Sequence, residues 1–392
     1  MIDVLQEVKK IEPDIINWRR DLHQIPELGL ELPNTIKYIK GKLDEMGIEY
    51  KTLVNGNAIV SLIRGGKEGR TIALRADMDA LPIKEETNLP FASTNGCMHA
   101  CGHDAHASML LGAAKILNEN KANLHGNVKL FFQPGEEYPG GALPMIEEGA
   151  MENVDSVLGL HAGAISKDVE KGKIGVSYGP MMASMDRILI KIKGKGAHGA
   201  YPELSIDPIS TAAEVISALQ RVVSREIKAV DPAVLSITRI NGGFNQNIIP
   251  DNVELEGTVR TVNNETRQLI ARRIEEITKG ITAAMRADYE VQYDFKYPPL
   301  INSEEFTKFF VDSAKKIIAE EDIFEMKYPV MGGEDMAYFL EKAPGTFFFL
   351  SNPKEIDGVT YPHHNPKFDI DESLLYRGTA LFVQTVFDYL SK

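Results

Sequence analysis

Cysteine is scarce in this chain of 392 residues, which contains only Cys97 and Cys101. Two cysteines four positions apart are a poor framework for the disulfides of a secreted protein. No apolar run approaches the roughly 20 residues of a membrane-spanning helix. Residues 1–12 form a mixed charged segment without the apolar core of a signal peptide. The composition therefore predicts a cytoplasmic protein with no membrane partner.

Positive charge is also in short supply, since 43 Lys and Arg face 56 Asp and Glu, a net charge of -13. Proteins that bind nucleic acid need a basic face, so we expect no nucleic-acid partner. Hydrophobic residues make up 43% of the chain and charged residues 25%, as in ordinary globular proteins. The length exceeds that of one ordinary core and predicts two domains.

The two ends of the chain carry alternating strand and helix patterns. The spacing of apolar residues predicts helices over 4–24 and 35–46 and strands over 57–63, 71–76, 128–132 and 156–160. This alternation predicts an α/β domain with a largely parallel sheet. Polar residues follow three of the strands: Asp77, the pair Glu136-Glu137, and His161. Because ligands collect at the carboxyl ends of parallel strands, we expect these side chains to share one site.

The pattern changes in the middle of the chain. From residue 184 the predicted order is strand, helix, strand, strand, helix, strand, which is the βαββαβ order of a ferredoxin-like module. We therefore predict a domain of residues 184–297 inserted into a larger, discontinuous domain made of residues 1–183 and 298–392.

Residues 99–106 pack three His, one Cys and one Asp into a single short segment. Apolar residues at helical spacing follow it, and Asp104 is placed to cap that predicted helix. Cys101 and His103 would then lie in the turn before the helix, where a thiolate and an imidazole can reach one metal ion or a close pair. The alternative is a buried cysteine beside capping or surface histidines.

Adjacent carboxylates at an exposed turn are usually only solvated, but Glu136 and Glu137 have other chemistry available. One glutamate can bind a metal ion while its neighbour accepts a proton from the water that the ion activates. With the sulfur and imidazole groups of Cys101, His103, His161 and His364 they make a ligand set too large for one structural zinc.

Three segments taken together, residues 75–82, 98–104 and 133–137, resemble the aminoacylase, hippurate hydrolase and auxin-conjugate hydrolase family. These are dinuclear metallo-amidohydrolases related to succinyl-diaminopimelate desuccinylase, and the resemblance runs along essentially the whole chain. It implies a catalytic domain like that of the zinc exopeptidases and two divalent metal ions per subunit. Zinc, manganese, cobalt and nickel all suit a site with one cysteine among histidines and carboxylates.

The resemblance also implies residue roles in the first domain. Glu136 would be the general base, and Asp77 would orient a metal ligand. Arg75 stands where the wider superfamily has a ligand histidine, so we do not expect it to bind metal. His363 competes with the last ligand, which is preferred because it directly precedes Asn365-Pro366. The implied metal ligands are Cys101, His103, Glu137, His161 and His364.

For the inserted module the resemblance implies a lid that also joins two subunits into a dimer. His198 would donate to the carbonyl oxygen of the scissile amide. Asn247 and Arg260 would hold the substrate carboxylate. Gly333, outside the module, would allow close approach of the backbone to substrate.

Together these features predict an enzyme that hydrolyses the amide bond of N-acyl amino acids, for example N-acetyl amino acids. A metal-activated water would attack, with Glu136 as the base. Three alternatives stay open. They are a dipeptidase or carboxypeptidase with the same metal centre, an N-acetyl-diaminopimelate deacetylase, which residues 138–145 resemble, and a metal-dependent binding protein that has lost catalysis.

Overall fold

The computed structural model describes residues 2–391. The helices in this range are α1 Val4–Lys10, α2 Glu12–His23, α3 Pro33–Glu45, α4 His103–Glu119, α5 Ala142–Glu147, α6 Pro208–Arg221, α7 Asn264–Ala284, α8 Glu304–Ala314, α9 Ala337–Leu340 and α10 Leu375–Tyr389. The strands are β1 Tyr50–Leu53, β2 Ala58–Arg64, β3 Lys67–Asp77, β4 His125–Gln133, β5 Ser156–Gly163, β6 Ile174–Val176, β7 Pro180–Met182, β8 Asp186–Lys193, β9 Ala197–His198, β10 Ala233–Gly242, β11 Ile248–Ile249, β12 Asn252–Thr261, β13 Asp288–Phe295, β14 Leu300–Ile301, β15 Ile323–Glu325, β16 Gly345–Ser351, β17 Glu355–Ile356 and β18 Val359–Thr360. Within residues 2–391, none of the helices combines the length and the apolar character that crossing a membrane requires.

The chain divides into two compact units. The first contains residues up to Met181, the segment Asn302–Val330 and the residues from Asp335 onward. The second contains Met182–Ile301 and the short segment Met331–Glu334. The domain boundaries predicted at residues 183 and 297 placed Met331–Glu334 in the other domain. The assignment of one domain to catalysis and the other to a lid stays a prediction.

The first unit is built on an eight-stranded sheet in the order β1-β2-β4-β3-β5-β16-β6-β15. Its centre is parallel, because β4, β3, β5 and β16 pair in the same direction. Antiparallel pairs flank this centre on both sides. The predicted α/β domain with a largely parallel sheet is therefore confirmed.

The core of the first unit forms around α4, which is buried along nearly its whole length. Helices α2 and α10 pack against it, and strand β3 lies beneath it. The central strand β5 is buried at every residue, as expected for a parallel strand covered on both faces. This packing fixes the amino-terminal end of α4, which carries His103.

The helix predicted over 4–24 is interrupted in the structure. Helix α1 ends at Lys10 and α2 begins at Glu12, with Ile11 between them outside helical geometry. Pro13 has no N–H to donate, so it is tolerated only in the first turn of a helix. The apolar periodicity continues across the break, which is why the spacing alone predicted one helix.

The prediction that Asp104 caps α4 is wrong. The helix begins at His103, and the residue before it, Gly102, has φ of 87°, a conformation that favours glycine. The Asp104 carboxylate instead lies 2.8 Å from Nε of Arg19 and 2.7 Å from Nδ1 of His23, both on α2. This buried ion pair joins α2 to the start of α4.

The second unit has a four-stranded antiparallel sheet in the order β10-β12-β8-β13. Helices α6 and α7 pack together against this sheet. Apolar side chains of β8 and β12 alternate with more exposed ones, as in a sheet with one buried face. The order of elements is the βαββαβ order predicted from the sequence.

A buried carboxylate ties the second unit together. Asp186, at the start of β8, accepts hydrogen bonds from Nε and NH2 of Arg267 on α7 at 2.9 and 2.6 Å. It also accepts from the Tyr293 hydroxyl at 2.9 Å and from the Lys296 backbone N–H at 3.1 Å. These bonds join β8, α7 and the end of β13 around one charge.

Replacing Arg267 by Met should destabilise the protein by about 3–5 kcal/mol, because it leaves the Asp186 charge buried without its partner. Urea unfolding followed by circular dichroism measures this loss. The matched control is Arg272→Met on the same helix, where the side chain is 64% exposed and the change should stay within about 0.5 kcal/mol. Equal losses in the two variants would contradict the role of the buried pair.

Candidate metal centre and active site

The carboxyl ends of neighbouring parallel strands bring the polar residues of the first unit together. Strand β3 ends at Asp77, and the turn after β4 carries Glu136 and Glu137. His161 lies inside β5, which continues to Gly163 rather than ending before the histidine as the sequence predicted. Cys101 lies just before α4, and His103, predicted in the turn before the helix, is instead its first residue; α4 packs on this sheet.

Five of the residues predicted as metal ligands meet in two overlapping groups. The ligand atoms of Cys101, His103 and His161 lie within 4.8 Å of one another, and so do those of Cys101, Glu137 and His364. Only the cysteine sulfur belongs to both groups. A third group under the same limit contains His103 with both glutamates, Glu136 and Glu137.

Backbone carbonyl groups set the protonation of two of these imidazoles. His103 Nδ1 lies 2.9 Å from the Asp79 carbonyl oxygen, and His161 Nδ1 lies 2.9 Å from the Ala162 carbonyl oxygen. A carbonyl oxygen only accepts, so in each neutral ring Nδ1 carries the proton and Nε2 keeps a lone pair. Without a cation, burial would lower the pKa of His103, but Asp77 and Asp79 outweigh it and raise the pKa to about 10. The His161 Nε2 lies 3.4 Å from the Cys101 sulfur. His103 Nε2 is buried with no hydrogen-bond partner among residues 2–391.

The site without a cation is unfavourable for a thiolate. Burial raises the pKa of the Cys101 thiol well above its usual range, and the nearby charges of Glu137, Glu136 and Asp77 raise it further. Burial also holds the pKa of His161 well below its usual value, with the neighbouring histidines adding to the effect. A positive ion at the sulfur would instead lower the pKa of the Cys101 thiol.

The two adjacent glutamates differ in their contacts. Glu137 Oε1 lies 3.0 Å from His364 Nε2. Burial alone would raise the pKa of Glu137, but His364 and His103 outweigh it and the pKa lies below its ordinary value. Glu136 is buried, and its Oε2 lies 4.0 Å from the bare Nε2 of His103. A proton acceptor therefore lies beside the ligand atoms.

Asp77 is held in place by groups on its own strand β3 and on α4. Its Oδ1 accepts a hydrogen bond from His106 Nδ1 at 2.6 Å, and its Oδ2 accepts from Arg75 NH1 at 2.9 Å. The same Oδ2 lies 3.7 Å from His103 Nε2. Burial alone would raise the Asp77 pKa, but His103, Arg75 and His106 hold it well below its usual range. Arg75 also donates to Asp335 at 2.8 Å, so it serves as a buried ion-pair partner.

Sequence reasoning missed the part played by Asp79. One carboxylate oxygen accepts from the Glu136 backbone N–H at 2.9 Å and the other from the Glu137 backbone N–H at 3.0 Å. Its backbone carbonyl is the acceptor that orients His103. The spacing of two carboxylates in Asp77-Met78-Asp79 was the available signal, but nothing local indicated which backbone groups the second would hold.

His198 and Asn247 lie together in the second unit. Strands β9 and β11 pair so that His198 faces Ile248, and the Gly199 backbone N–H donates to the Asn247 carbonyl oxygen at 2.7 Å. His198 is exposed, and its Nδ1 accepts from the Ala200 backbone N–H at 3.1 Å. In the neutral ring the proton is therefore on Nε2.

Arg260 and Gly333 have contacts of their own in the second unit. The Arg260 guanidinium donates to the Val259 carbonyl oxygen at 3.1 Å and to the Thr258 hydroxyl on its own strand. Burial lowers the Arg260 pKa below its usual value. A Cβ on Gly333 would lie 2.9 Å from the Met185 Cβ, so this glycine permits a close approach to the chain at Met185.

The residues of the first unit fit divalent metal ions. Three imidazoles, one thiol and one carboxylate are donors that zinc and similar ions bind. The buried Nε2 of His103 is the sharpest evidence, since it has no hydrogen-bond partner among residues 2–391 and a buried nitrogen that makes no hydrogen bond is costly. A metal ion there would be held by Cys101, His103, His161, Glu137 and His364.

Comparison with known proteins agrees with this chemistry. The sequence profile of Peptidase family M20/M25/M40 matches residues 73–388. The chain belongs to this peptidase family.

The names of the relatives of this M20-family chain include both deacetylases and carboxypeptidases. An N-acetyl-L-cysteine deacetylase of Bacillus subtilis is 42% identical over 96% of this chain and 88% of its own length. Thermostable carboxypeptidase 1 of Saccharolobus solfataricus is also 42% identical, over 95% of this chain and 94% of its own. A crystal structure of a Bacillus subtilis protein described as a dinuclear metal binding peptidase of the M20 family has a TM-score of 0.83 and 37% identity, covering 97% of this chain and 99% of that one.

Replacing Asp79 by Asn should weaken metal retention and turnover of this M20-family protein by about 10–100-fold. The amide NH2 would face one of the two backbone N–H groups that the carboxylate now accepts, so the glutamate turn would shift. Competition with a chelator measures metal affinity.

The control for this variant is Asp155→Asn, where a carboxylate accepts a single backbone N–H, that of Thr71 at 2.7 Å, at the amino end of β5. We expect the metal affinity of the control to stay unchanged. Unaltered affinity in Asp79→Asn would show that the turn does not depend on the carboxylate.

Proposed function

We propose that this protein is a metal-dependent amidohydrolase that cleaves the amide bond of N-acyl amino acids, small molecules such as N-acetyl amino acids. One observation carries the proposal: the Glu136 carboxylate lies beside the bare Nε2 of His103, while its neighbour Glu137 contacts His364. Two carboxylates that are adjacent in sequence thus face different groups, Glu137 the imidazole of His364 and Glu136 that of His103.

Two features support a pair of metal ions. The two ligand groups share the Cys101 sulfur, and a relative 37% identical is described as binding two metals. When bound, divalent cations lower the pKa of water and polarise a carbonyl oxygen, which supplies a nucleophile and an electrophile at neutral pH.

The residues of the chain then manage protons and position. Glu136 accepts a proton from the attacking water and passes it to the leaving amine. Asp79 holds the backbone of both glutamates, which orients Glu136 as the base and Glu137 as the ligand. Asp77, kept ionised by Arg75 and His106, contributes negative charge near His103.

We assign substrate roles to the second unit. His198 would donate its Nε2–H to the oxygen of the scissile carbonyl, since its Nδ1 already accepts from the Ala200 backbone N–H. Asn247 and Arg260 would hold the substrate carboxylate, and Gly333 would allow close approach of the backbone. In this proposal the unit acts as a lid and forms the contact of a homodimer.

The deacetylase and the carboxypeptidase relatives define two substrate classes to be separated. With Mn²⁺, Zn²⁺ or Co²⁺ loaded, we expect EDTA-sensitive amine release from N-acetyl amino acids or hippurate to be faster than from dipeptides. N-acetyl-diaminopimelate belongs in the same panel. Release from dipeptides alone would overturn the proposal in favour of a peptidase, and its absence from every substrate with metal bound would contradict catalysis.

Replacing Glu136 by Gln should lower kcat by about 10²–10⁴-fold, because the amide cannot accept the proton. Metal content, measured by elemental analysis after dialysis, should not change. The control is Glu147→Gln on α5, an exposed glutamate whose loss should leave kcat unchanged. Retained turnover in Glu136→Gln would assign the base to another group.

A further inference from the structure

His363 makes two polar contacts that together determine where its proton lies. The Ala164 backbone N–H donates to His363 Nε2 at 3.0 Å. A backbone N–H can only donate, so Nε2 holds a lone pair and the ring proton is on Nδ1. That Nδ1 lies 3.7 Å from the Cys101 sulfur, within the range of an N–H···S hydrogen bond.

The His363 ring is also fixed in orientation. The Phe368 ring packs against it with centroids 4.6 Å apart, and the His161 ring meets it edge-on at 5.1 Å. On another side lies Gly163, where an added Cβ would come within 2.4 Å of the ring Cε1 and Nε2. Gly163 has φ of 111°, so both its conformation and this contact favour glycine.

The neighbouring histidine, His364, makes different contacts. His364 Nε2 lies 3.0 Å from Glu137 Oε1, and its ligand atom groups with those of Cys101 and Glu137. His363 is absent from these groups within the described residues. Of the two adjacent histidines, His364 therefore contacts the Glu137 carboxylate, whereas His363 directs an N–H at the Cys101 sulfur.

We propose that His363 is a positioning residue that donates its Nδ1–H to the Cys101 sulfur and stabilises the thiolate as a metal ligand. The inference rests on the proposed metal-binding role of Cys101. A buried thiolate surrounded by carboxylates gains from each donor aimed at it, and hydrogen bonds to a ligand sulfur tune the metal site. His363 itself is then not a ligand, because its lone pair is bound to the Ala164 N–H.

Two substitutions separate the sulfur contact from the backbone contact. In His363→Asn the side-chain amide N–H can occupy the place of Nδ1, so the donor to sulfur is kept and the acceptor for Ala164 is lost. In His363→Gln the longer side chain brings an amide oxygen to the place of Nε2, so the acceptor is kept and the donor is lost. His363→Leu removes both contacts and keeps an apolar side chain against Phe368.

The readout is the sulfur-to-cobalt charge-transfer absorption of protein loaded with Co²⁺, together with Co²⁺ affinity from chelator competition. A hydrogen bond lowers the energy of the sulfur electrons, so its loss should move the band to longer wavelength. We expect this shift, with about 10-fold weaker binding, in His363→Gln and His363→Leu. His363→Asn should stay close to the parent protein.

Circular dichroism and thermal melting establish that each variant is folded. If His363→Leu does not fold, the comparison of His363→Asn with His363→Gln still tests whether His363 donates to the sulfur. A band at the parent wavelength in His363→Gln, or equal shifts in Gln and Asn, would overturn the proposal. A change in the d–d absorption bands of Co²⁺ in the variants, with the sulfur charge-transfer band unchanged, would instead show that His363 is a ligand. If the parent protein shows no sulfur band, Cys101 is not a ligand, and the proposed metal site fails rather than the role of His363 alone.

Discussion

Hydrogen bonds between imidazole rings and the backbone underlie the arrangement of the metal centre. In each of His103, His106, His161 and His363 one ring nitrogen is bound to a backbone carbonyl or N–H. Because these backbone groups either only accept or only donate, they determine which nitrogen carries the proton. In their neutral forms His103 and His161 therefore direct lone pairs inward, whereas His106 and His363 direct N–H groups at Asp77 and at the Cys101 sulfur.

Just as backbone groups determine the protonation of the histidines, ion pairs with arginine determine the protonation of the buried carboxylates. Asp77 is paired with Arg75, and Asp104 with Arg19. A charge buried alone is expensive, so these pairs keep the acids ionised at positions where water is largely excluded. The Asp104 pair joins α2 to α4, and the Asp77 pair lies within β3, so the charged groups beside the proposed ligands are in place before a metal ion binds.

The names of the relatives indicate that the metal centre determines the type of reaction but not the choice of substrate. A deacetylase and a carboxypeptidase are equally similar to this chain, at 42% identity each. Both names describe hydrolysis of an amide bond, which divalent metal ions held by thiol, imidazole and carboxylate groups would support in either case. The choice of substrate depends on the groups that hold the parts flanking the scissile bond, and for these we propose residues of the second unit.

The sequence by itself determined the kinds of element and the kinds of ligand. Apolar periodicity is local, so the α/β alternation and the βαββαβ order could be predicted, and the residue types in 99–106 and 136–137 carried the metal chemistry. Periodicity could not show the interruption at Ile11, because the apolar pattern continues across it.

Only the tertiary structure decided how those groups are oriented and paired. One of the two partners of Asp104, His23, lies 81 residues away, and the sulfur that His363 approaches lies 262 residues away. The roles of Asp79 and His106 depend on backbone groups of other strands and loops. A hydrogen bond has direction and short range, so such contacts are defined only once the strands and loops that carry them have packed.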